Sequence, residues 1–499
     1  MNTQAPALIV MIPLLFAVLT PLIGFWRKEL CYPWVLIAVI ISFSSSLVTL
    51  GQVVLHGTIR YKLGGWAAPY GIEYLVDPLS AMMAVVVAGT ALFTAFYSLR
   101  SLEFEMPGKV VYYYTLYLLQ VAGLAGMVVT GDVFNLYVFL EITALTGYAL
   151  LAAGQEKGLN YATFRYLILG TVGACFYLLG IGYLYMVTGS LNLIDLHALL
   201  PSLYGSKVVL VAFAFFMVGI AIKMGLFPMH FWLPDAYAKA PSVSSTLIGP
   251  LMTKVSVYIM LRIFFFLFEP SFTYGAISAK QILLWLGTAA IVYGAILALA
   301  QTDFKRMICF IIIMEIGYMA GGIGVGNTVA VRGVVLHILN DAIMTFGMFA
   351  VAGIIMYKTG SHNISDFRGL FRKTPITMAA LVVVALSVIG VPPTCGFFSK
   401  WLLLSGAAAN GNWVYVAALL FASLVSVVLF FRIFEAAYGF DRTSHHDTHD
   451  AAPVASVKIS EAPMTMIVPT ILVAVGIVVF GLYNQTIMKF IVDVAIPSL

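Results

Sequence analysis

The sequence predicts an all-α polytopic membrane protein of about 14 transmembrane helices, and three observations carry that prediction. Of 499 residues, 62% are hydrophobic and 9% charged, with a mean hydropathy of +1.01, whereas about 25% of a soluble globular domain is charged. The apolar residues gather into stretches of about 20, the length that crosses a bilayer as a helix. Two of these stretches are interrupted by prolines beside a lysine, and such breaks at membrane depth need protein or water around them.

The stretches fall in roughly 7–24, 34–55, 76–98, 111–130, 131–153, 162–187, 207–232, 241–268, 281–300, 306–325, 331–357, 376–404, 412–438 and 464–487. The first has no positive region ahead of it, and Arg27 and Lys28 follow its apolar run. It therefore reads as a retained helix and not a secretory signal. The fourth and fifth are parted only by the turn around Gly131-Asp132, and the tenth is weakened by Glu315 and several glycines. The seventh continues into KMGLFPMHFWLPDAYAKAP, with Pro228 and Pro234 downstream of Lys223. The twelfth contains SVIGVPPTCGFFSKW, with Pro392, Pro393 and Gly396 just before Lys400. Proline removes a backbone donor and clashes with the preceding turn, so carbonyls at both places need other partners.

Two broken helices five segments apart suggest two five-helix units, segments 4–8 and 9–13. Adjacent units of five helices enter the membrane from opposite sides, the inverted-repeat design of many transporters. The expected divisions are a three-helix segment over 1–110, repeats over 111–268 and 281–438, and a loop with the last helix over 439–499. The rival reading is coincidence, because prolines are common in membrane helices.

Orientation follows from loop charge. Leaving aside three intramembrane lysines, the odd-numbered loops hold sixteen Lys and Arg, and the even-numbered loops and C-terminus seven. The positive-inside rule places the odd loops in the cytoplasm of a cell inner membrane, with both termini outside. The net charge of +5 reflects this bias toward anionic lipid, and no basic run suggests nucleic acid.

Cys31, Cys175, Cys309 and Cys395 are widely spaced with no C-x-x-C pair, which argues against an iron–sulfur, zinc or disulfide framework. Phosphate-cradling glycine motifs are missing too, so no cofactor is expected on this chain and any redox chemistry must come from partners. The stretch SHHDTHD at 444–450 could bind a metal, but in a polar, alanine-rich loop it reads first as a solvated segment.

The informative residues are those the bilayer should exclude: Glu141, Lys223, Lys254 and Lys400. An ionised side chain at membrane depth costs roughly 3 kcal/mol on insertion scales and on the order of 10 or more on an isolated helix. A proton or charge pathway is the default reading. A carboxylate near a lysine favours the charged form of both and burial favours the neutral forms, so such a pair is poised to change protonation when one partner moves. Each residue keeps a plainer alternative. Glu141 and Lys223 could be a static ion pair, Lys254 could satisfy carbonyls freed by the broken helix, and Lys400 could snorkel to the interface. His337 and Asp341 stand one helical turn apart and can face the same way. Asp132 opens segment five, where it can cap helix-terminal N–H groups or take part in ion access. The Asp303-Lys305-Arg306 cluster reads as solvated charge or a contact with a partner.

GDVFNLYVFLEITALTGYAL, KMGLFPMHFWLPDAYAKAPSVSSTLIGPLMTKVSVY, DFKRMICFIIIMEIGYM, HILNDAIMTFGMF and GVPPTCGFFSKW resemble, in order, the signatures of a known family. It comprises the antiporter-like proton-channel subunits shared by respiratory complex I, membrane-bound hydrogenases and Mrp-type Na+/H+ antiporters. The form around Glu141 most resembles the D-type component of Mrp antiporters. The resemblance implies fourteen core helices, broken helices seven and twelve, and a relay of Glu141, Lys223, Lys254, His337 and Lys400. His230 falls at the family's histidine before the WLPDA stretch, and together with Asp341, Glu315 and Asp132 it completes the candidates for relay or access.

Where many complex I members carry a histidine and a lysine, this chain has Asp341 and Thr345, which leaves the central relay open. Glu315 is another departure, either a substitute titratable group or a packing residue. The chain ends at Leu499 soon after segment 14, so it resembles the mid-sized members. The function expected first is an Mrp-type subunit that exchanges H+ for Na+ beside other membrane subunits. The alternative is a proton-pumping subunit of a redox complex.

Overall fold

The computed structural model describes residues 4–275, 278–439 and 459–495; the 444–450 stretch lies outside them. Among the described residues, thirteen helices are long and apolar enough to cross a membrane. The first half runs α1 (Ala5–Trp26), α2 (Cys31–His56), a hairpin of β1 (Ile59–Lys62) and β2 (Glu73–Val76), α3 (Pro78–Glu105), α4 (Val110–Val129), α5 (Val133–Ala152) and α6 (Leu159–Thr188). It continues with the short α7 (Leu193–Leu199), α8 (Lys207–Met224), α9 (Leu233–Lys239) and α10 (Ser242–Arg262). The second half runs α11 (Pro270–Gly275), α12 (Ala279–Leu299), α13 (Phe304–Val325), α14 (Thr328–Thr359), α15 (Leu370–Lys373), α16 (Pro375–Ile389), α17 (Cys395–Ala409) and α18 (Trp413–Tyr438). After the loop come α19 (Met464–Leu482) and the short α20 (Asn484–Ile487) and α21 (Asp493–Ala495).

The seventh span is α8 plus α9 and the twelfth α16 plus α17, each broken at its prolines. With α16 and α17 only 15 residues apiece, the twelfth span is a pair of half-helices, which brings the total to the fourteen expected. Gly225 (φ 73°) and Gly390 (φ 93°) end the first half of each broken helix in the left-handed region, where a side chain would be strained.

Two details of backbone pairing show the internal repeat. Asp132 and Asp303 cap α5 and α13 by accepting the N–H of Asn135 and Arg306, each at 2.7 Å. The peptide next to each cap bonds an equivalent strand-like segment: Val133 N–H donates to Leu191 and Phe304 N–H to His362, while Leu193 and Ile364 donate back to Gly131 and Thr302. From α5 to α13 the chain crosses five spans, so the two copies point in opposite directions, as an inverted repeat requires.

The structure adds two things that hydropathy does not reveal. The antiparallel β1–β2 hairpin pairs Ile59 with Val76 and is pinned by Arg60 on Glu73, 2.8 Å apart. The weak tenth stretch is a continuous 22-residue helix, α13, buried on every residue except Arg306. Its glycines let it pack tightly on α12: a Cβ on Gly317 would lie 2.7 Å from the Gly287 carbonyl. Small residues allow such approach where membrane helices meet.

One expectation is corrected. Lys305 is not a solvated loop charge: it is 1% exposed. Its ammonium donates to the Ala240 carbonyl at the end of α9, tying the second repeat to the broken helix of the first. Its neighbour Arg306 is exposed and pairs with Asp235 at 3.4 Å.

Candidate functional site

α10, α13 and α14 form the buried centre of the bundle, and four of the expected side chains, Lys254, Glu315, His337 and Asp341, lie on them. Lys223 lies in the last turn of α8, and Lys400 on α17.

The first station is Lys223 with Glu141. Lys223 is 7% exposed and its Nζ lies 3.8 Å from Glu141 Oε1, within ion-pair range but beyond a hydrogen bond. Neither atom has another hydrogen-bond partner among the described residues. The last-turn carbonyl of Ile222 is taken by the Trp232 indole at 3.1 Å, so the lysine is not needed to satisfy the broken helix. Glu141 on α5 is 29% exposed, leaving one flank of a carboxylate uncovered at membrane depth.

The second station is a closed triad. Lys254 Nζ lies 2.9 Å from Asp341 Oδ2 and donates to Thr345 Oγ1 at 3.1 Å, and the Thr345 hydroxyl donates to Asp341 Oδ1 at 2.8 Å. All three side chains are fully buried. The two residues that depart from the complex I pattern are thus the counter-ion of Lys254 and the hydroxyl that orients it.

The third station joins Glu315, His337 and Lys400. His337 Nε2 donates to Glu315 Oε2 at 2.6 Å, and Lys400 Nζ lies 3.5 Å from Glu315 Oε1. The Lys400 ammonium also donates to the Val388 carbonyl across the break and sits 4.8 Å above the Tyr318 ring. Lys400 is therefore buried and does not snorkel; Glu315 is the carboxylate shared by a lysine and a histidine. Ser399 Oγ meets His337 Nδ1 at 2.9 Å, accepts from the Asn340 amide at 3.1 Å, and can instead donate to the Gly396 carbonyl at 3.2 Å. That choice matters chemically. The hydroxyl donates to Nδ1 when His337 is neutral, and turns to Gly396 when Nδ1 carries a proton.

His337, Asp341 and Thr345 repeat every four residues on α14, so the second and third stations share one helix face. α8, which carries Lys223, packs on α10, which carries Lys254. Two candidates stand apart. Asp132 caps α5. His230 is buried in the first break, its ring against Phe227, Phe231 and Tyr293, with Nδ1 unpartnered among the described residues. Pro228, Pro392 and Pro393 lie in the two breaks themselves. The sequence reading does not include Ser399, Asn340 and Tyr318; Asn340 and Tyr318 lie three residues on from His337 and Glu315, a helical spacing that signals them, whereas Ser399 has no such signal. Among the described residues no group of three or more His, Cys, Asp or Glu side chains gathers as a metal site.

A many-span helical membrane protein with two broken helices and a row of buried amine–carboxylate groups defines the class of antiporter-like membrane subunits. The chain belongs to the NADH:quinone oxidoreductase/Mrp antiporter transmembrane family, whose model matches residues 130–426. It is 42% identical to the N-type subunit of an NADH-quinone oxidoreductase from Desulforudis audaxviator, over 100% of this chain and 99% of that one. It is 31% identical to the D-type subunit of a Na(+)/H(+) antiporter from Alkalihalophilus pseudofirmus, over 78% of this chain and 77% of that one. Among solved structures, a chain of the membrane-bound sulfane sulfur reductase, an archaeal respiratory membrane complex, matches with a TM-score of 0.89 and 30% identity, covering 98% of this chain and 96% of that one. A chain of the Mrp complex from Dietzia sp. shares the fold with a TM-score of 0.87 at 22% identity, covering 99% and 97%. The Mrp-type expectation is therefore not singled out: the chain is an antiporter-like subunit of Mrp or complex I type, and such relatives work in multisubunit membrane complexes.

Proposed function

We propose that this chain moves protons through the membrane as one subunit of a larger complex, using Glu141–Lys223, Lys254–Asp341 and Glu315–His337–Lys400 as successive stations. The observation that carries the reading is that Lys223, Lys254 and Lys400 each face a different carboxylate and that two of the three stations share one face of α14. Static burial of so many charges is poor stabilisation for its desolvation cost. When Glu141 withdraws, Lys223 loses its stabilising charge and releases a proton toward Lys254. Lys254 accepts it as its own proton moves on past Asp341 to His337, and Lys400 takes the proton from His337 as it releases its own for exit. Ser399 resets His337 by turning its hydroxyl.

The test is driven proton flux in vesicles that hold the native assembly. Lys223→Met and Glu141→Gln each abolish flux while the complex still purifies intact; loss of assembly instead would return both residues to a structural role.

The full-length likeness to a protein named for NADH-quinone oxidoreductase, and to a respiratory reductase complex, favours a redox partner as the driver. Exchange with Na+ is the second reading, supported by the likeness to a Na(+)/H(+) antiporter component. Mass spectrometry and a visible spectrum of the native complex separate them. Iron–sulfur or flavin subunits mark the first, and colourless small membrane proteins the second.

A further inference from the structure

α10 carries Lys254, Tyr258 and Arg262 at four-residue intervals toward the end of the bundle that bears the β1–β2 hairpin. Eight residues of helix place Arg262 about 12 Å beyond Lys254 along the axis. The guanidinium there grips Asp77, the cap of α3, through two bonds of 2.5 Å, and donates to the Tyr258 hydroxyl at 2.8 Å and to Ser80. It is sandwiched between the rings of Tyr258 at 5.1 Å and Phe266 at 5.2 Å. The Tyr258 hydroxyl in turn donates to the Val128 carbonyl at 2.7 Å. Beside the pair lies a cavity of about 40 Å³, lined by Asp77, Arg262, Val331 and Val335 among others, which is room for a water molecule but not for a wide channel.

We infer that the Asp77–Arg262 pair is a proton plug that closes the hairpin end of the first half, so that a proton on Lys254 has to continue to the second half. This rests on the proton-relay reading above. A guanidinium cannot give up its proton in a protein, so it breaks any hydrogen-bonded chain that reaches it. Asp77 supplies the counter-charge that holds the guanidinium across the gap, and the Tyr258 hydroxyl, 2.9 Å from Ser80 Oγ, has the Val128 carbonyl to donate to. The same plug blocks protons arriving from the hairpin side.

The experiment uses the native assembly in vesicles, with a valinomycin-imposed potassium diffusion potential and a pH dye, and no electron donor or sodium gradient. The double variant Asp77→Asn/Arg262→Gln removes both charges without orphaning either. Its passive proton leak rises by about tenfold over wild type, equivalent to lowering a barrier by about 1.36 kcal/mol. Adding Lys254→Met returns the leak to the wild-type level. A tight double variant, or a leak indifferent to Lys254→Met, overturns the plug. Should the double variant fail to assemble, Arg262→Lys substitutes a cation that can lose its proton, and a Lys254-dependent leak is again expected; its absence overturns the proposal. Driven flux of Lys254→Met alone, in the same vesicles, reports on the underlying reading. If that flux survives, the relay falls; if it is lost while the double variant stays tight, only the plug falls.

Discussion

The two broken helices answer the same problem with different side chains. In the first, the lysine precedes the break and the carbonyl of Ile222 is satisfied by Trp232, leaving Lys223 with only a loose ion pair to Glu141. In the second, the lysine follows the break and reaches back over it to the carbonyl of Val388, so Lys400 is both the cation of its station and the cap of its half-helix. The difference teaches that one architecture holds a loosely paired cation and a tethered one. Lys223 can follow the movement of a carboxylate, whereas a change of charge on Lys400 must be felt by the helix break itself. Between them, the Lys254–Asp341–Thr345 triad is closed and fully buried, the point at which the two kinds of site meet.

The largest effect is expected at that junction. Lys254→Met or Asp341→Leu alone strands a buried charge and costs about 3–5 kcal/mol of stability. The two substitutions together recover most of that in thermal unfolding of the solubilised chain, while driven proton flux stays lost. Flux in the paired variant would remove the triad from the path. Next comes the contrast between the breaks. Lys400→Met leaves the Val388 carbonyl without its donor and costs about 1–3 kcal/mol, whereas Lys223→Met, which removes no hydrogen bond, costs less. Equal losses in melting temperature would erase the distinction between tethered and loosely paired lysine.

Trp232→Phe is expected to sharpen it. The Ile222 carbonyl keeps only the Gly225 N–H at 3.2 Å and loses its second donor at a cost of about 1 kcal/mol, and Lys223, the next residue along the helix, is a cation that can turn to it. Driven flux then falls without any change in charge. A last contrast, silent at neutral pH, separates the repeats in acid. Where the first repeat has Leu191, the second has His362, whose carbonyl accepts the N–H of Phe304 at the start of α13 as that of Leu191 accepts Val133 at the start of α5. Burial, with the charge of Lys305 beside it, pushes the His362 imidazole down to about 3 from its usual 6.5. Because the folded value lies below the unfolded one, this contribution to stability is complete above pH 6.5 and is lost as pH falls toward 3. His362→Gln is expected to flatten the melting temperature over that window, and an unchanged profile would exclude the histidine as its source.

Much of the architecture was legible because it is written locally. Span length, the proline breaks and the lysines beside them are properties of consecutive residues, and each helix obeys them wherever it packs. The hairpin escaped notice because four-residue strands carry no signal in a window of membrane length. Lys305 was misread because its charge lies in a short loop, where exposure is the ordinary outcome; only the approach of the α9 carbonyl buries it.

By itself, then, the sequence determined the class of protein, the number and breaks of its spans, and which ionisable groups must lie at membrane depth, since hydropathy and proline chemistry act along the chain. Tertiary structure alone decided who pairs with whom. Glu315 joined His337 and Lys400 rather than serving α13 as a packing residue, and Asp341 and Thr345 closed on Lys254, the threonine from 91 residues away. Asp77 crossed to Arg262 over 185. The physical reason is that a buried charge is stabilised by the partner within a few ångströms of it, and that distance is set by which helices pack together, not by their order in the sequence.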